Sequence, residues 1–243
     1  MSRDIFKRES QADFRVVQEL SYRNKVMLFK DRFHAGELLG RKLLEQCIHD
    51  DITLLALPAG GVPVGYTVSQ VLGKPLDIAV VRKISLPWDS EAGFGAVSWT
   101  GKIILNQSIV QQLSLGQEVV SAGIKRTEQN VAERLRKFRG NGSLPELDGK
   151  SVIMIDDGLA SGFTMLTAVE SARDEGAKKV VVAVPTGSAT AVELVSHKAD
   201  VVFCLNVREG LVFAVADAYK HWYDVSDEEV TKLLKKKGNL VGD

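Results

Sequence analysis

Cysteine is scarce in this chain of 243 residues: there are two, Cys47 and Cys204, far apart and each in apolar surroundings. That argues against a disulfide scaffold and reads as two buried free thiols, as expected of a cytoplasmic protein. Histidine is almost as rare, at 4, and no Cys/His cluster has zinc spacing, which excludes a zinc-ribbon or zinc-finger reading. No apolar run approaches the ~20 residues that cross a bilayer. The stretch Met1 to Ser10 is polar and mixed in charge, without a secretory pattern. Neither sign of charge is in excess: 31 basic residues meet 31 acidic ones. No global field therefore draws the chain to nucleic acid or to an anionic membrane. Internal repeats and low-complexity tracts are absent too.

What remains is an ordinary globular composition, 45% hydrophobic and 26% charged, read as a single domain over residues 1–243. Its best-defined stretch runs from Val152 to Met165. Val152 to Ile155 are four apolar residues in a row, as in a buried parallel strand. Asp156 and Asp157 stand at its C-terminal end. The small-residue loop Gly158-Leu159-Ala160-Ser161-Gly162 follows, and then a helix over Phe163 to Gly176 with apolar Met165, Leu166, Val169 and Ala172. A small-residue loop opening a helix leaves backbone N–H groups free, and the helix dipole adds partial positive charge there. The result is an anion cradle, with phosphate the usual anion. Ser161 and Thr164 add hydroxyl donors. Two adjacent carboxylates would repel a phosphate, so they suit a vicinal diol such as ribose O2 and O3, with Mg²⁺ nearby to offset charge. The residues alone thus describe a ribose 5-phosphate clamp.

Other strands alternate with helices, which predicts an α/β fold with a doubly wound, mainly parallel sheet. Strands are expected over Ile52–Leu57, Leu76–Val81, Lys179–Val184 and Val201–Leu205, and helices over Val64–Leu72 and Ala189–His197. Another helix begins after Asp31, its cap, with apolar Ala35, Leu38, Leu39, Leu43 and Ile48. A short helix over Asp13 to Leu20 and an edge strand over Met27 to Phe29 complete the N-terminal part. Arg32 and His34 read as surface or capping residues.

Gly60 and Gly61, in the turn Pro58 to Pro63, let backbone amides approach a ligand. The near match to a nucleotide-binding P-loop fails because Tyr66 stands at its lysine position. Arg82 and Lys83 end the next strand. Two cations there suit a departing pyrophosphate. Ile84 to Gly95 lack periodicity and carry Pro and Gly, so a long mobile loop is expected. A hairpin follows around Thr100-Gly101. Helices over Asn106–Leu113 and Leu115–Arg139 form a polar insert. Its apolar stripe is Val119, Val120, Ile124, Val131 and Leu135, and it suits covering a sheet or contacting a subunit. The basic run Arg134, Arg136, Lys137 and Arg139 reads as a solvated helix end rather than a nucleic-acid surface. The segment Asn206 to Tyr223 carries Phe213, Tyr219, Trp222 and Tyr223, rings that suit either core packing or stacking on a flat acceptor. Ser226 caps a last helix that ends near Lys232, Lys235, Lys236 and Lys237.

The run Asp156-Asp157-Gly158 followed by Ala160-Ser161-Gly162-x-Thr164 resembles the phosphoribosyl-pyrophosphate motif of the type I phosphoribosyltransferases, with Ser161 where the usual form has Thr. The core likeness covers about residues 50–205, with a helical insert at about 106–140 and an extension at 206–243. A closer likeness is to stand-alone members with unassigned acceptors. There Phe29-x-Asp31-Arg32, Leu57-Pro58-x-Gly60-Gly61-Val62-Pro63, Val81-Arg82-Lys83, Asp156-Asp157-Gly158 and Trp222-Tyr223 recur in order. The resemblance implies that Asp156 and Asp157 hold the ribose hydroxyls and Gly158 through Thr164 the 5-phosphate. It implies pyrophosphate contacts at Gly60, Gly61, Arg82 and Lys83. A loop over 84–95 would close on the site, with Trp88 and Glu91 as contacts, and a small hood would cover it. It further implies Mg²⁺, a heteroaromatic acceptor and a homo-oligomer. Enzymes acting on 6-oxopurines have an aspartate where this chain has Ala160, which turns the expectation away from hypoxanthine and guanine. The alternatives are a regulatory binder of phosphoribosyl pyrophosphate or nucleotide without turnover, and a hydrolase using water as acceptor.

Overall fold

The computed structural model describes residues 15–46, 52–140, 142–210 and 212–236. Cys47, Ile48, Asn141 and Lys237 lie outside these residues, as do Met1 to Ser10 and the side chain of Glu91. Among the described residues six parallel strands make the main sheet: β1 (Arg15–Val17), β2 (Ile52–Ala56), β3 (Leu76–Ile78), β7 (Ser151–Ile155), β8 (Lys179–Ser188) and β9 (Val201–Arg208). Their order across the sheet is β1-β9-β8-β7-β2-β3. Apart from the edge strand β1 the strands are almost wholly buried, which explains why they read as unbroken apolar runs rather than alternating ones.

The order of strands fixes where a ligand can sit. From β2 the chain moves outward to β3, then returns to place β7 on the other side of β2. β2 and β7 are therefore the switch point, and the crevice beyond their C-terminal ends is where open parallel sheets bind ligands. The segments leaving those ends are 57–61 and 156–162, both singled out by the sequence.

Two helix pairs flank the sheet: α1 (Arg32–Glu45) with α2 (Gly61–Leu72), and α5 (Phe163–Asp174) with α6 (Ala189–Ser196). Asp31 caps α1 as expected, its carboxylate accepting from the His34 amide at 2.8 Å. α1 and α2 touch through glycine. A Cβ on Gly36 would lie 2.6 Å from the Val64 carbonyl oxygen, and one on Gly40 would lie 2.9 Å from Val71 Cβ. Since the first neighbour is backbone, Gly36→Ala should destabilise by about 1–3 kcal/mol through overpacking. A chemical-denaturation midpoint that falls with an unchanged m-value would register it.

A second, three-stranded antiparallel sheet is built from β4 (Val81–Leu86), β5 (Asp89–Ser98) and β6 (Ile103–Leu105). α4 (Gln117–Arg139) and α5 both pack on this sheet, and α3 (Gln107–Gln112) leads into α4. The insert thus covers the small sheet, burying Gly123, Thr127, Val131 and Phe138. Its basic end faces acids: Arg134 pairs with Asp227 at 2.7 Å, Lys137 with Asp227 at 3.0 Å, and Arg139 with Asp77. Asp227 opens α7 (Asp227–Lys235), capped by the Ser226 hydroxyl, which accepts from the Glu229 amide.

Four expectations are corrected. Residues 15–17 form a strand paired with β9 where the sequence read helix, because an open sheet edge captured them. Met27 to Phe29 contribute a single bridge, Phe29 to Tyr219, rather than a strand. Residues 84–95 are no open loop. They continue β4 and β5 as a hairpin with register shifts at Ile84 to Leu86. The strand expected over 76–81 is split, so Arg82 and Lys83 lie inside β4 of the small sheet instead of ending a strand of the main one.

Candidate functional site

Asp156 and Asp157 leave β7 at the switch point, half-buried, and the turn after β2 meets them. A Cβ on Gly60 would fall 2.0 Å from Asp157 Oδ2, and one on Gly61 would fall 2.7 Å from the Ile155 carbonyl oxygen and 2.9 Å from Asp156 Cα. No residue larger than glycine leaves room for the acidic pair in this place. The Pro58–Ala59 peptide preceding them is cis. The two segments, about a hundred positions apart in the chain, thus form one surface.

Each carboxylate is fixed. Asp156 Oδ1 accepts from the Asp157 amide at 2.8 Å. Asp157 Oδ2 accepts from Arg32 Nε at 2.8 Å, both side chains being largely buried. The Tyr219 hydroxyl donates to the Asp157 carbonyl at 2.6 Å. Burial pushes the Asp156 carboxyl well above its ordinary range, and the neighbouring Asp157 charge pushes it further. Burial raises Asp157 as well, with Arg32 opposing. The pair therefore favours one proton on Asp156 and the charge on Asp157 beside Arg32.

The loop 158–162 is pinned to the end of β8. Leu159 N–H donates to the Thr186 carbonyl at 3.0 Å, Ser188 N–H to the Leu159 carbonyl at 2.9 Å, and the Ser188 hydroxyl to the Ala160 carbonyl at 2.8 Å. Pairing with β9 carries β8 on to Ser188, past the Val184 that the sequence indicated. Pro185 sits between the paired positions Val184 and Thr186. Gly162 then turns into α5 with φ +81° and supplies no capping side chain. The first amides of α5 are left to solvent or a ligand. Ala160 and Ser161 are exposed, Phe163 and Thr164 lie at or near the surface of the helix start, and Gly158 packs on Val215.

The structure does not bring the two cations of β4 together at this site. Alternation along the strand sends them to opposite faces. Arg82 is half-buried within the electrostatic reach of Arg134 and Asp227: burial and Arg134 lower its pKa and Asp227 opposes the shift. Lys83 is exposed on the other face, its stem against Gly93. Trp88 is 65% exposed at the tip of the hairpin.

Arg32, expected as a surface or capping residue, is instead buried against the acidic pair. It is 3% exposed. Besides Asp157 it donates to the Tyr223 carbonyl at 2.7 Å, and its guanidinium lies 3.8 Å from the centre of the Trp222 ring. Tyr219 is fully buried, which settles it as core. The one available signal was that Phe29-x-Asp31-Arg32 and Trp222-Tyr223 stood out together in the resemblance. They are the segments that meet here.

An open parallel sheet with an acidic pair, a glycine turn and a pinned small-residue loop at its switch point has the form of a type I phosphoribosyltransferase. A family model described as phosphoribosyl transferase domain matches residues 100–220. A Mycobacterium tuberculosis H37Rv protein provisionally named a phosphoribosyl transferase is 36% identical over 209 residues, 86% of this chain and 47% of its own length. The chain thus spans about half the length of the curated relatives it first matches. The orotate phosphoribosyltransferase of Streptomyces coelicolor is 26% identical over 166 residues, covering 64% of this chain and 83% of that one. The crystal structure of TT1426 from Thermus thermophilus superposes with a TM-score of 0.70 at 34% identity, over 86% of this chain and 98% of that one. The chain belongs to the phosphoribosyltransferase family. Among the described residues, no helix is long and apolar enough to cross a membrane.

Proposed function

We propose that this protein binds phosphoribosyl pyrophosphate and transfers its 5-phosphoribosyl group to a nucleobase-like acceptor, releasing pyrophosphate. The observation that carries the reading is the seating of Asp156 and Asp157 against Gly60 and Gly61 at the switch point. Asp157, and Asp156 when ionised, accept from the ribose hydroxyls. The amides of 158–164, with Ser161 and Thr164, hold the 5-phosphate. The Gly60-Gly61 backbone borders the place of the pyrophosphate. Of the two cations in β4 we retain Lys83 for pyrophosphate, since it is the exposed one and Arg82 is half-buried. In the reaction the bond from ribose C1 to the pyrophosphate oxygen breaks and a bond from C1 to an acceptor nitrogen forms. The electron pair leaves with pyrophosphate, and the acceptor nitrogen gives up its proton. Such a site works by holding the partners in line and stabilising the leaving group's charge.

Mg²⁺ enters this scheme as part of the substrate. Among the described residues no group of three or more His, Cys, Asp or Glu side chains can hold a metal. Of the two carboxylates at the site, one is engaged by Arg32. An ion that prefers to keep its waters and bind substrate phosphates suits such a site. The bound ion would neutralise pyrophosphate charge.

The test is pyrophosphate release from phosphoribosyl pyrophosphate and Mg²⁺ across a panel of heteroaromatic acceptors. Release that depends on one acceptor class supports transfer. Release without any acceptor assigns a hydrolase. Saturable binding with no release under any acceptor assigns a regulatory binder.

A further inference from the structure

Arg32 is the residue that the reading above leaves without a task. Three segments far apart in sequence converge on it: the start of α1, the end of β7, and the 219–223 stretch. Its guanidinium is held by two hydrogen bonds and a stacked ring. Nε donates to Asp157 Oδ2 at 2.8 Å, one terminal nitrogen donates to the Tyr223 carbonyl at 2.7 Å, and the plane lies on the Trp222 ring at 3.8 Å. The Tyr219 and Tyr223 ring centres stand 5.9 Å and 5.6 Å from it. The planar fork suits this use: it can bond a carboxylate and a carbonyl while stacking on an aromatic face, which an ammonium cannot. Arg32 engages one oxygen of Asp157, the oxygen that lies against Gly60.

We propose that Arg32 is a positioning residue for the diol-binding carboxylate: it holds Asp157 in its ligand-ready place and ties the 219–223 segment to it, so that an event at Asp157 is felt at Trp222. This rests on the ribose-clamp reading of Asp157. The coupling of Asp157 to Trp222 does not, since it is a property of the ligand-free protein.

The experiment follows Trp222 emission, taken as the difference from the Trp222→Phe protein, together with phosphoribosyl pyrophosphate affinity in Mg²⁺. Without ligand, Asp157→Asn should shift Trp222 emission in the wild-type background and leave it unchanged in the Arg32→Gln background. An equal shift in both backgrounds overturns the coupling. With ligand, Arg32→Gln should bind roughly 10- to 100-fold more weakly, the loss expected of one charge-assisted hydrogen bond. Arg32→Lys, which keeps the charge but not the fork, should recover only part of it. Wild-type affinity in Arg32→Gln overturns the positioning role while leaving the clamp reading intact. A wild-type protein that binds nothing, yet shows the background-dependent emission shift, overturns the clamp reading and keeps the coupling.

Discussion

The Asp157→Asn protein is expected to lose its response to phosphoribosyl pyrophosphate and to melt about 10 °C below the wild type. Both effects come from the same oxygen. Asp157 Oδ2 lies 2.8 Å from Arg32 Nε, and the side chains of Arg32 and Asp157 are 4% and 14% exposed. Removing the charge of one partner leaves the other buried without compensation, which costs about 3–5 kcal/mol. The partial exposure of Asp157 places the expectation near the lower end. At roughly 2–4 °C per kcal/mol for a chain of this size, the melting temperature falls by about 10 °C. In the wild type, ligand at ~100 times its dissociation constant adds about 2.7 kcal/mol. Scanning calorimetry of both proteins with and without phosphoribosyl pyrophosphate and Mg²⁺ separates the two consequences. A variant that melts with the wild type and still responds to ligand contradicts the assignment of Asp157.

Asp156→Asn should do the reverse to stability while also harming binding. Asp156 is raised well above the ordinary carboxylate range by burial first and by the Asp157 charge second. A carboxyl whose folded pKa is raised contributes stability that is fully present below its unfolded value of ~3.9 and is lost as pH climbs through the folded value. Asparagine is neutral throughout and keeps the oxygen that accepts from the Asp157 amide at 2.8 Å. The variant and wild type should therefore melt together near pH ~4, at the unfolded carboxyl's own pKa. They should part as pH rises, the variant being more stable by about 1 kcal/mol at pH ~8, as relief of a strained functional position commonly gives. Affinity for phosphoribosyl pyrophosphate should fall roughly tenfold or more, because asparagine cannot ionise to accept from the ribose diol as the Asp156 carboxyl can. Melting curves across that pH range, in the absence of ligand and divalent metal, carry the test. A gap that closes instead of opening with rising pH contradicts the charge arrangement.

The parts of the site that were legible in the sequence are those made by contiguous residues. β7, the acidic pair, the small-residue loop and the start of α5 follow one another without a break. Local rules for buried strands, turns and helix starts therefore suffice. Gly60 and Gly61 were legible as a place where backbone comes close. What they come close to, the acidic pair itself, is a contact between β2 and β7 that only strand order decides.

Where the reading failed, long-range pairing decided the outcome. Arg32 and Asp157 are 125 positions apart, and a lone arginine at a helix start carries no mark of burial. Residues 84–95 looked like a loop because Pro87, Gly93 and Gly95 interrupt any alternation. The structure gives two of them a packing reason. A Cβ on Gly93 would meet the Lys83 stem at 2.4 Å, and one on Gly95 would meet the Ile104 carbonyl oxygen at 2.5 Å. These glycines mark close strand pairing. The pairing of Arg82 with Lys83 failed for another reason: adjacent residues in a strand cannot serve the same face.

The most direct test is equilibrium dialysis of labelled phosphoribosyl pyrophosphate against the intact protein in Mg²⁺, beside the Asp157→Asn protein. Saturable binding by the wild type at one site per chain, lost in the variant, is the predicted result. Folded wild-type protein that retains no label up to millimolar ligand would contradict the assignment of the switch-point crevice as a phosphoribosyl site.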